Sequence, residues 1–163
     1  KPEIYFGLET EVRISEQMPV GESTGVDVPG QLWKRYHMEK ASIEANLNTT
    51  VEMGMSHTEG TSQNLFTYFA GGLVQNIPDR LQDGFVKREL SAGEYIVCRV
   101  EAENFEDLVT VALDQASKYL FGIWLPHHNL TTEPFSAEKY YRDVEGMACM
   151  EIWVKPLPLK NKS

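Results

Sequence analysis

Apolar and polar positions along the chain fall into two successive sets of elements. In the first, Glu11–Gln17 alternates polar and apolar residues as a half-buried strand does, Pro19–Gly21 makes a turn, and Glu22–Val28 returns. Pro29 suits the first turn of a helix, where its missing N–H costs nothing. That helix runs to about Asn46, with Leu32, Trp33, Tyr36 and Ile43 on its apolar side. Strands over Thr50–Ser56 and Asn64–Val74 follow, parted by the polar turn His57–Ser62. In the second set, Phe85–Leu90 and Glu94–Val100 read as a hairpin around Ser91-Ala92-Gly93. Asn104 is a good N-cap, with Asp107 placed to satisfy the first free N–H groups. Phe105, Leu108, Val109, Ala112, Leu113, Ala116 and Leu120 then recur at helical spacing. Gly122 weakens the end of this helix and Pro126 is expected to stop it. After a loop over Pro126–Ser136 come strands at Ala137–Asp143 and Met147–Lys155, closed by Pro156 and Pro158.

The order of elements therefore repeats. Sliding the chain by 72 positions lays Ile14–Val28 on Val86–Val100, Gly21-Glu22 on Gly93-Glu94 and Trp33 on Phe105. The expected fold is α+β: two duplicated strand–helix–strand–strand halves, about 1–80 and 81–163, with antiparallel sheets and one main helix per half. Neither half buries much apolar surface alone, so both are expected to pack as a single domain over 1–163. A pseudo-twofold junction of this kind leaves a groove between the halves, and such junctions favour ligands.

Charge narrows the partners. The chain carries 24 acidic against 15 basic residues, a formal net of -9. Nucleic-acid binders need a basic face to displace phosphate counterions, so direct nucleic-acid binding is not expected. An acidic surface suits cationic ligands or a basic protein partner. No apolar run reaches the roughly 18–20 residues that cross a bilayer. The N-terminus lacks the basic-then-apolar pattern of a secretion signal. Cys98 and Cys149 are too few for a disulfide scaffold. Together these point to the cytoplasm.

Candidate chemistry concentrates on aromatic residues and one carboxylate. In Met150-Glu151-Ile152-Trp153-Val154, strand alternation sends Met150, Ile152 and Val154 under a helix and leaves Glu151 and Trp153 together on the opposite face. A carboxylate beside an indole suits a flat cation. Tyr68 and Phe69 point to opposite faces of their strand. Trp33, Tyr95, Trp124 and the pair Tyr140-Tyr141 complete an aromatic supply rich enough for a pocket wall. His127-His128 have no third ligand at zinc spacing, so no metal is expected. Nucleophile-elbow, phosphate-loop and dinucleotide signatures are absent, and no cofactor is expected. For catalysis, the pair available is Glu151 as base and Tyr68 orienting water.

Four motifs in order extend this reading: Phe66-Thr67-Tyr68-Phe69-Ala70-Gly71, Ser91-Ala92-Gly93-Glu94-Tyr95, Ile123-Trp124-Leu125-Pro126 and Glu151-Ile152-Trp153-Val154-Lys155-Pro156. Together they resemble the GyrI-like small-molecule-binding superfamily, the effector-binding domains of AraC- and MerR-type multidrug regulators, which also occur alone. The resemblance implies an SHS2-like duplicated fold with a groove on the pseudo-twofold axis for hydrophobic, often cationic, aromatic compounds. By motif, Glu151 takes the place of the family's central glutamate, with Tyr68, Trp124 and Trp153 as wall and Trp33 at the groove end of the first helix. Tyr140 lies in Ser136–Tyr141, which matches the family's Phe-Glu-x-Tyr segment loosely. Relatives without a DNA-binding helix pair include gyrase inhibitors and hydrolases of reactive toxins. The expected function is thus a stand-alone cytoplasmic binder of aromatic or cationic compounds. The alternatives are a Glu151/Tyr68 hydrolase and a module that acts on a protein partner, with a homodimer also open. Pro19–Gly25 and Pro126–Ser136 are candidate lids.

Overall fold

The computed structural model describes residues 2–13, 28–58, 65–77, 84–104, 107–141 and 148–158. Its main body is an antiparallel sheet of seven strands: β1 (Glu3–Arg13), β2 (Leu47–His57), β3 (Leu65–Val74), β4 (Val86–Leu90), β5 (Ile96–Ala102), β7 (Phe135–Tyr141) and β8 (Ala148–Val154). Their order across the sheet is β4-β1-β3-β2-β7-β8-β5. Helix α1 (Val28–Glu39) connects β1 to β2, and a helical segment over 108–127, α2, connects β5 to β7. A small second sheet pairs β6 (Leu130–Thr132) with β9 (Pro156–Pro158). With β4 set aside, the strand order reads symmetrically outward from the central β2–β7 pair: β2, β3, β1 on one side and β7, β8, β5 on the other.

Strand β1 begins eight residues earlier than the alternation at Glu11 suggests. Tyr5, Phe6, Gly7 and Leu8 are all buried, because both faces of the sheet are covered here, and a strand buried on both faces shows no alternation. The turn at Pro19–Gly21, the return over 22–27 and Phe105 lie outside the described residues.

The expected hairpin around Ser91-Ala92-Gly93 is not formed. Strand β4 pairs with β1 and β5 pairs with β8, so the two segments are the opposite edges of the sheet. In a flat sheet, six spacings of about 4.8 Å would set those edges roughly 29 Å apart. The chain from Leu90 to Ile96 spans at most about 21 Å. The sheet therefore curls until its edges approach. It curls away from the helices, since Glu3 of β1 reaches Lys139 of β7, three strands off, on the face opposite α1.

Helix α1 ends in two tight turns, Lys40–Ser42 and Glu44–Asn46, that finish the predicted span. Leu32, Tyr36 and Ile43 bury against Phe6, Leu8, Val12, Tyr68 and Ala70. Helix α2 opens on the expected cap: Asp107 N donates to Asn104 Oδ1 at 2.8 Å and Asn104 Nδ2 returns to Asp107 Oδ2 at 3.1 Å. Contrary to expectation, α2 runs through Gly122 and Pro126. The wide π-turn Leu120–Trp124 precedes the proline, and termination comes at Asn129, whose φ of 56° is left-handed. Leu108, Leu120 and Leu125 pack on Val100, Met150, Ile152 and Val154. Trp33 touches this cluster as well as the α1 cluster and so joins the two helix-side cores.

Candidate ligand groove

Strand alternation sorts the candidate residues onto two faces. On the helix face, β2 presents Glu52 and Gly54, β3 presents Tyr68 and Ala70, β7 presents Glu138 and Tyr140, and β8 presents Met150 and Ile152. The register sets Glu52 opposite Tyr140, Gly54 opposite Glu138, and Ser56 opposite Tyr68. Above them lies Trp33 of α1. Its Nε1 donates to Tyr68 Oη at 2.9 Å, and its ring meets Tyr140 edge-on, with centroids 5.7 Å apart. Tyr68 and Tyr140 are buried, whereas Trp33 remains half-buried.

The carboxylate of this cluster is Glu138, which the sequence reading passed over. Tyr140 Oη donates to Glu138 Oε2 at 2.6 Å, and no Lys or Arg pairs with Glu138 among the described residues. Burial raises the Glu138 carboxyl above the usual range, and the Tyr140 hydrogen bond opposes this with a smaller effect. Tyr140 is itself held protonated well beyond the usual phenol range, by burial first and by Glu138 second. A second carboxylate on this face, Glu52, is differently placed. It is buried and lies 3.0 Å from His37 Nε2 and 3.8 Å from Lys40 Nζ, both on the α1 side. Glu52 has its countercharge; among the described residues Glu138 has only a phenol.

Trp124 also lies on the helix side, packed on the α2 cluster and stacked on His128 with centroids 4.0 Å apart. No described ring contact joins it to Trp33.

Glu151, Trp153 and Tyr95 belong to the other, concave face. The alternation within Met150–Val154 is as predicted, but this face is turned away from Tyr68, Trp33 and Tyr140. Glu151 and Tyr68 therefore lie on opposite faces of the sheet, and the structure does not bring the expected Glu151/Tyr68 catalytic pair together. The concave face is also internally satisfied. Glu151 Oε1 accepts from Tyr141 Oη at 2.7 Å and from Trp153 Nε1 at 3.0 Å, with Arg99 Nη1 3.8 Å from Oε2. Lys139 Nζ sits 3.5 Å from the Trp153 ring centroid and 2.6 Å from Glu3 Oε1, which also accepts from Tyr5. Tyr95 packs on Trp153 at 5.2 Å and walls a pocket of 170 Å³ with Glu3, Leu90 and the turn Ser91–Gly93. The cation that a Trp–Glu pair would attract is already supplied here by Lys139.

Glu138 was discoverable. It lies two residues before Tyr140 in the segment Ser136–Tyr141, which carries a loose form of the family's Phe-Glu-x-Tyr pattern.

Among the described residues no helix is long and apolar enough to cross a membrane, and no group of three or more His, Cys, Asp or Glu could hold a metal ion. A search of curated protein sequences returns no match. Solved structures share the fold. SAV2435 bound to tetraphenylphosphonium superposes with a TM-score of 0.67 at 14% identity, covering 96% of this chain and 89% of that one. A putative bacterial transcription regulation protein from Staphylococcus aureus MU50 gives 0.63 at 15% identity, covering 96% and 93%. The C-terminal domain of EcmrR gives 0.57 at 14% identity, covering 97% and 93%. The family model for the GyrI-like small molecule binding domain matches residues 1–156, in keeping with the four motifs, and the chain belongs to that family.

Proposed function

We propose that this chain binds amphipathic aromatic cations in the groove beneath α1, with Glu138 as the countercharge and Trp33, Tyr68 and Tyr140 as the aromatic wall. The observation that carries the reading is the state of Glu138: a half-buried carboxylate whose pKa burial raises, with one phenol donor and no basic partner among the described residues. A carboxylate partly removed from water without a countercharge is costly, so a ligand that brings positive charge is favoured over a neutral one of the same shape. The ring edges and faces around it favour a cation with apolar substituents. That SAV2435 has been solved with tetraphenylphosphonium, a cation of this class, is in keeping with the reading.

The test uses a matched pair of ligands: methyltriphenylphosphonium and the neutral triphenylphosphine oxide. Calorimetric titration of the wild type and Glu138→Gln is expected to show the cation losing about tenfold or more in affinity, about 1.4 kcal/mol, while the neutral analogue changes little. Equal losses for both compounds would overturn Glu138 as the charge determinant. The same loss from Glu151→Gln and none from Glu138→Gln would move the site to the concave face.

A further inference from the structure

Gly54 lies in the middle of β2, directly opposite Glu138. A Cβ at this position would stand 2.2 Å from Tyr68 Oη, 3.0 Å from Tyr68 Cζ and 3.5 Å from Trp33 Cζ2. The missing side chain is therefore what lets the Tyr68 phenol lie down across β2, and Trp33 is hydrogen-bonded to that phenol at 2.9 Å. Glu138 and Tyr140 of β7 lie beside this pair, with the Trp33 and Tyr140 rings in edge contact at 5.7 Å. We infer that Gly54 is a positioning residue that sets the width of the groove and hence the size of the aromatic cation it accepts.

The inference rests on the groove reading above, and it draws on a contact that the charge argument does not use. Any side chain at 54 must displace the Tyr68 phenol, and with it the Trp33 indole hydrogen-bonded to it, from their present places. Charge at Glu138 is untouched, so a small cation keeps its partner while a bulky one loses room. The closest clash is with Tyr68 Oη, and removing that oxygen leaves Cζ at 3.0 Å, a contact that a ring shift of a few tenths of an ångström relieves. Gly72 of β3 offers an internal control. A Cβ there would lie 2.6 Å from the hydroxyl of Tyr36, a fully buried residue of the α1 core. It is the same glycine-under-tyrosine arrangement, but its clash falls on Tyr36, which meets the Trp33 ring edge-on at 5.8 Å, and not on the Tyr68 phenol.

The experiment measures affinities for tetraphenylphosphonium and for the smaller trimethylphenylammonium in the wild type, Gly54→Ala, Tyr68→Phe, the double variant and Gly72→Ala. Gly54→Ala is expected to weaken tetraphenylphosphonium by about tenfold or more and trimethylphenylammonium by about threefold or less. The double variant should return tetraphenylphosphonium to within about threefold of Tyr68→Phe alone. Gly72→Ala should lower the melting temperature and leave the ratio of the two affinities unchanged. Equal weakening of both cations by Gly54→Ala, or no recovery in the double variant, overturns the inference. Should Gly54→Ala fail to fold, a folded double variant that binds like Tyr68→Phe supports it, and an unfolded double variant overturns it, because the clash would then not be with Oη. A wild type that binds neither cation overturns the groove reading itself, and this inference with it.

Discussion

The two faces of the central sheet hold the same kinds of residue in opposite states. On the concave face, Glu3 and Glu151 are surrounded by Lys139, Arg99, Tyr5, Tyr141 and the Trp153 indole, and each of the two has both donors and a cation from the chain itself. On the helix face, Glu138 is met by one phenol. Consecutive residues of β7 make the contrast: Glu138 points one way and Lys139 the other. A Glu beside a Trp is thus not in itself a receptor for cations. It becomes one when the fold withholds the countercharge, and the concave face does not withhold it.

The largest effect expected from breaking this comparison is on stability, at Lys139. Its side chain is 4% exposed and bridges Glu3 to the Trp153 ring across the curl of the sheet. Lys139→Met leaves Glu3 without its cation. Removing one partner of a buried pair costs about 3–5 kcal/mol. Glu3 is 37% exposed and can recover some hydration, which lowers the expected cost to about 2–3 kcal/mol. Urea denaturation reads this directly. Affinity of the folded protein for methyltriphenylphosphonium should stay within about threefold of wild type, because Lys139 lies outside the groove. A stable Lys139→Met variant, or one whose ligand binding collapses while it remains folded, would break the division between a structural face and a binding face.

Sequence patterns reached the fold further than the site, and particular residues show why. The alternation in Met150–Val154 and the capping pair Asn104 and Asp107 are local, and local physics decides them. Both appear as expected. The hairpin around Ser91-Ala92-Gly93 failed because pairing is not local: two short strands joined by five residues read as a hairpin whether they pair with each other or close the two edges of a curled sheet. Tyr5–Leu8 escaped notice because burial on both faces erases the period of two. Glu151 was preferred to Glu138 for a related reason. Alternation states that two faces differ, and Glu151 with Trp153 is the more conspicuous pair. Which face carries free charge depends on Lys139 and Glu3, which lie 136 positions apart. Gly54 could not be read at all, since its meaning comes from the tyrosine that lies over it.

The second way to sharpen the contrast is through pH. Burial raises the Glu138 carboxyl, so in the folded protein it holds its proton to higher pH than it does in the unfolded chain. Between those two values the native state binds more protons than the unfolded state, and stability must fall as pH rises through that window. Glu138→Gln removes this dependence. The variant should be more stable than wild type above the window and equal to it below, as measured by urea midpoints at a series of pH values. Cation binding favours the ionised carboxylate. It is therefore expected to release protons inside the window and to strengthen with pH until Glu138 is ionised. Proton release is checked by calorimetry in buffers of different ionisation enthalpy. Identical pH profiles for the two proteins would mean that Glu138 is solvated and has no need of a ligand's charge.

The smallest effects come from a matched pair of tryptophan substitutions, one on each face. Trp153→Phe removes the Nε1 donor to Glu151 while keeping a ring near Lys139, and Trp33→Phe removes the Nε1 donor to Tyr68. Each loses one hydrogen bond and some packing, at about 1–2 kcal/mol. Their stabilities should therefore be similar, and their ligand binding should not. Trp33 is half-buried where both helix-side cores meet and holds Tyr68 in place, so its substitution should weaken tetraphenylphosphonium several-fold. Trp153 already has Lys139 over its ring and Tyr95 beside it, so its substitution should leave that affinity unchanged. Parallel titration of the two variants separates these outcomes. If Trp153→Phe weakens the cation as much as Trp33→Phe does, the ligand reads both faces of the sheet, and occupancy by Lys139 is not what keeps the concave face closed.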